Sequence, residues 1–135
     1  MSFLLNADLL SVGIAIAANL LLGFVVLFSE TKNATNRLFF LQTLSLSTWS
    51  LVSFLSYQVN SDPELALRLV RLVLFFAVPN SIFFMLFMHT FPNKVLRMKR
   101  VYLYGLLLLM FVTMVVTLTP AVFTGVDIVA GQAPK

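Results

Sequence analysis

The residues of this chain with chemistry to offer are two arginines, a lone histidine, an asparagine beside a proline, and a single tryptophan, all set in or beside long apolar runs. Polar and charged side chains are costly in hydrocarbon, so each one there points to a partner or a task. Arg68 and Arg71 are three residues apart and share one face of a helix near its end. A guanidinium fork suits a carboxylate or a phosphate-like anion. Snorkelling to lipid headgroups is the plainer reading of the pair, and pairing with Asp62, Glu64 or a ligand anion is the sharper one. Arg71 lies one turn further in and is the better ligand or signal candidate, with polar partners expected from Ser53, Ser56 or Tyr57. His89 follows eighteen residues later, which at ~3.6 residues per turn returns it to the same stripe about five turns away. The chain has one histidine and no cysteine, so no metal site is expected and hydrogen bonding at the interface is the plainer reading of His89.

Pro79 removes a backbone donor in mid-helix and leaves the Phe75 carbonyl without its usual partner, with Asn80 and Ser81 beside it. A bend is expected there, either static or a hinge that moves when something binds outside. Asn80 joins the ligand candidates, as does Trp49. In the second run Ser45, Trp49, Ser53 and Ser56 recur at spacings of four, four and three. That stripe is expected to face other helices. In the first run Gly13, Ala17, Asn19 and Gly23 suggest close helix packing.

Four runs position these residues, at 9–28, 38–59, 65–91 and 101–118, and each approaches or exceeds the roughly 20 apolar residues that cross a bilayer. They are far too long for strands. With 60% hydrophobic and 10% charged residues, the chain lacks the polar surface that a soluble domain needs. The first run follows Asp8 and no Lys or Arg, so it is not expected to be a cleaved leader. The fold class is an all-α membrane protein of four transmembrane helices in an antiparallel up-down bundle, one domain over 1–135 with a tail at 119–135. Asp62 or Ser61 and Pro63 suit the start of helix three, and Asn33 and Thr35 that of helix two. Segments 31–36 and 92–99 are expected to be compact loops.

Lys and Arg set the orientation. Lys32 and Arg37 follow run one, and Lys94, Arg97, Lys99 and Arg100 follow run three, which places both loops in the cytoplasm and both chain ends outside a plasma membrane. Arg37, Arg68, Lys94, Arg97, Lys99 and Arg100 are the expected interface anchors. The net charge of +4 is explained by that topology, and no nucleic-acid partner is expected. The bilayer is the first partner. No cofactor is expected, nor an enzyme, because no acid and base pair, metal cluster or activated nucleophile is present. No lysine stands inside a span to hold retinal, and the acids lie in loops or at span ends, unlike a proton-coupled transporter.

The ordered stretches NATNRLFFLQTLSLSTWSLVSFL, ALRLVRLVLFFAVPNSIFF, FMHTFPNK and LTPAVFTGV resemble the N-terminal seven-transmembrane region found ahead of bacterial and archaeal histidine kinases. Asn36, Arg37, Trp49, Arg71, Phe91 and Pro92 align with that pattern. The resemblance implies a sensory input module of a two-component system, part of a larger seven-helix bundle. Its partners would be further transmembrane helices and a cytoplasmic kinase output, with pairing into a homodimer left open. Three helices and the kinase output do not follow within the chain, so it is expected to be a fragment, a truncated frame or a partial domain. A small four-helix transporter and a passive structural membrane protein remain the alternatives.

Overall fold

The protein is described here from a computed structural model, which covers residues 2–59, 62–91, 93–96 and 98–122, with side chains from residue 7 onward. Four helices follow one another: α1 (Ser2–Ser29), α2 (Ala34–Gln58), α3 (Pro63–Thr90) and α4 (Arg100–Thr117). Each contains a stretch long and apolar enough to cross a membrane, and the chain is a multi-pass membrane protein.

α2 and α3 begin earlier than their apolar runs because capping, and not hydropathy, decides where a helix starts. Asn33 caps α2 by accepting the Thr35 backbone N–H at 3.0 Å. Residues 34–36 are therefore helical, which corrects the loop expected over 31–36, and Thr35 is a buried residue of the first turn instead of a cap. At α3, Asp62 Oδ1 accepts from Glu64 N at 3.0 Å and Leu65 N at 3.2 Å, with Pro63 and Glu64 in the first turn as their chemistry favours. Ser61, Asn60 and residues 123–135 lie outside the described residues. α1 starts seven residues before its run and takes Asp8 into the helix. α3 runs unbroken through Pro79, which is buried.

The packing is inside-out relative to a water-soluble protein. Among the described residues Ala66 and Leu86 are the buried hydrophobics, whereas Asn33, Thr35, Thr43, Ser45, Ser47, Ser56, Thr90 and Thr117 are buried. Leu10, Leu21, Phe28, Val101 and Phe111 face outward. Lipid solvates such a surface, and small polar residues let helices approach and bond across their contacts. Gly23 shows why size matters there: a Cβ at that position would land on Thr43 Oγ1 and crowd Phe40. Gly13 has open space around it and Ala17 is exposed. The close packing expected of the whole small-residue stripe is thus realised within this chain at Gly23 and not at Gly13.

Neighbours in sequence are neighbours in space. α1 packs on α2, α2 on α3 and α3 on α4, while among the described residues α1 and α4 do not meet. The short connections make each pair antiparallel. The result is a row with two free edges, α1 and α4.

Candidate functional site

One face of α2 carries the chemistry. Starting from the end that bears Lys94, Thr35 Oγ1 donates to the Thr90 carbonyl at 3.4 Å, and the rings of Phe39 and Phe87 lie 5.5 Å apart. Two turns of α2 further on, Gln42 Nε2 donates to Asn80 Oδ1 at 2.6 Å. Ser45 and Pro79, both buried, line a pocket closed by Phe76 and Phe83 of α3 and by Met114 of α4. Continued toward the Asp62 end, this register brings Arg71 level with Ser53.

The seam is only partly satisfied. Gln42 Oε1 and Ser45 Oγ are enclosed there without a hydrogen-bond partner, as are Ser47 Oγ and Ser53 Oγ elsewhere on α2. Most other hydroxyls in the spans bond a carbonyl of their own helix, as Thr48 does to Leu44, Ser56 to Ser53 and Ser81 to Ala77. Unpaired groups in a low-dielectric interior are where binding or rearrangement has most to gain.

Asn80 is in the seam, bonded to Gln42, and Pro79 lies beside it. Arg71 is half-buried with its Nε enclosed, whereas Arg68 stays exposed and pairs with Glu64 one turn back. Ser53 Oγ makes no bond, so it is not the partner expected for Arg71. Trp49 and Ser53 turn toward α1 and line a cleft with Asn19 and Tyr57, while Ser45 turns toward α3 and α4. The serine stripe thus serves two interfaces. His89 is exposed in the last turn of α3, where a cation suits the helix dipole. Among the described residues no three His, Asp or Glu gather as metal ligands. No family model, curated protein or solved structure matches the chain.

At the basic end the two loops are tied together. Lys94 Nζ meets Glu30 Oε2 at 3.3 Å, and Asn33 Nδ2 donates to the same oxygen at 3.1 Å. The Asn33 bond and then the Lys94 charge hold the Glu30 carboxyl below its ordinary pKa. Lys94 adopts a left-handed backbone with φ 59°, and its N–H bonds the Thr90 carbonyl at 3.0 Å. Lys94 is therefore a loop tie as well as an interface cation. Asn36 Nδ2 donates to the Val26 carbonyl at 2.8 Å, closing the end of α1, and Arg37 Nε donates to the Thr31 carbonyl at 2.7 Å. Lys99 and Arg100 are exposed at the start of α4, a poor place for cations along a helix dipole and a good one at a headgroup layer. Arg97 lies outside the described residues.

Gln42 and Glu30 were not singled out by the sequence. A long amide deep in an apolar run is a signal in itself for Gln42. Glu30 carried none, because Lys94, its charged partner, lies in another loop.

Proposed function

We propose that the chain is part of a membrane-embedded sensory input module of the kind that precedes a histidine kinase core, acting through other polypeptide and not as an enzyme. The observation that carries this reading is the half-satisfied seam between α2 and α3, set in an open row whose edge helices have room for further helices. A passive scaffold gains nothing from unpaired groups inside the membrane, whereas a sensor uses elements with two nearly balanced arrangements. The order of stretches resembling the kinase-linked seven-helix region supplies the output. In this reading the Lys94 end faces the cytoplasm, both chain termini lie outside a plasma membrane, and a signal from outside reaches Arg71 and the seam.

Photo-reactive side chains placed singly at Leu21 of α1 and Leu108 of α4 test it in native membranes, since both are exposed on the edge helices. The reading expects a crosslinked adduct that takes phosphate from ATP onto a histidine. Adducts with lipid alone, or phosphate-free adducts from both edges, would refute it.

A further inference from the structure

The cleft between α1 and α2, on the half nearer Asp62, has no part in the α2–α3 seam. Its origin is the contact at Gly23, where the absence of a side chain lets α1 rest against Thr43. Roughly two to four turns away the facing residues are Trp49, Phe54 and Tyr57, too large for the same approach, and the helices leave a space of about 290 Å³. Ala15, within the apolar span of α1, and Tyr57, in the last turn of α2, are exposed at its mouth, so the opening beside Ala15 faces hydrocarbon.

Its walls are specific in their chemistry. No charged residue lines the cleft, which excludes an ionic guest. Trp49 presents an indole that can only donate, and Asn19, Ser50 and Tyr57 can donate as well. Asn19 and Ser50 make no hydrogen bond within the described chain, while hydroxyls elsewhere in the spans are mostly satisfied locally. Trp49 can only donate, and a planar guest that brings an oxygen acceptor matches that indole beside flat aromatic walls.

We propose that the α1–α2 cleft is a binding site for a neutral, membrane-dissolved planar ring bearing carbonyl oxygens, the chemistry of a quinone, held against Trp49 and hydrogen-bonded through Asn19 and Ser50. The site goes beyond the sensory reading and does not depend on any kinase output, since binding is read on this chain alone.

Trp49 is the sole tryptophan, so its fluorescence reports the site without a label. The full chain in lipid nanodiscs is titrated with decylubiquinone. Quenching should saturate at one quinone per chain, and Asn19→Leu and Ser50→Ala should each raise the half-saturation concentration about tenfold, the loss of one hydrogen bond to a buried group. Ser50→Leu, which fills the cleft with an apolar residue suited to a span, should abolish saturation while circular dichroism stays unchanged. A fatty alcohol of equal length should not compete. Quenching that rises linearly with quinone in the bilayer, is the same in all three variants, or is relieved by the alcohol would overturn the proposal.

Discussion

Arg68 and Arg71 show how one turn of helix changes the meaning of a charge. Arg68 is exposed and paired with Glu64 at i,i+4, an arrangement typically worth only ~0.3–0.5 kcal/mol. Arg71 is half-buried with an enclosed Nε, so its planar fork has a fixed setting that a lysine ammonium does not reproduce. Arg71→Lys is expected to lower the midpoint of thermal unfolding in detergent clearly, and Arg68→Lys to leave it within error; equal tolerance would reduce both to headgroup anchors. The amide pair makes a second prediction. Gln42→Leu strands Asn80 and should cost ~1–2 kcal/mol. Replacing both amides by leucine should cost less than the single change, because no polar group is left unpaired, and a double-mutant cycle in a reversible unfolding assay measures the difference.

At the scale of helices, the α1–α2 pair hangs on Gly23. A methyl there collides with Thr43, so Gly23→Ala should destabilise by ~1–3 kcal/mol, with partial rescue from Thr43→Ala because Oγ1 is the nearest obstacle. Gly13→Ala, with nothing near it, is the control and should be silent. The loop tie is sensitive to pH. The folded state holds Glu30 below its ordinary value of 4.5, so the tie contributes above that value and is lost as pH falls through the lower, folded one. Proteolysis of the 91–99 loop should therefore accelerate as pH falls below 4.5, an acceleration that Glu30→Gln abolishes by making the loop equally open at neutral pH. These elements also mark how far the sequence could be read. The spans, the Asp62 cap and the Pro63 start were legible, since each depends on residues within one turn. The Gln42–Asn80 bond, the Glu30–Lys94 tie and the unequal fates of Gly13 and Gly23 depend on the register between helices, which apolar sequence does not encode locally. Asn80 could be flagged as polar but not paired, and the serine stripe could be placed inward but not divided between two interfaces.

For the whole molecule, orientation is decided by labelling. The chain has no cysteine, so single cysteines at Asn60 and Asn93 give unambiguous signals with an impermeant maleimide on intact cells. Asn60 is expected to label and Asn93 to be protected until the membrane is opened; the opposite pattern would invert the topology. The polarity of α2 carries a consequence for biogenesis. It is the least apolar of the four spans, and the Gln42 amide finds its hydrogen-bond partner only when α3 lies alongside. A translocon that partitions segments one at a time by hydropathy gains least from releasing α2 alone. The helix should linger there until the α2–α3 hairpin forms, so insertion of α2 becomes a cooperative event that fails when α3 is delayed.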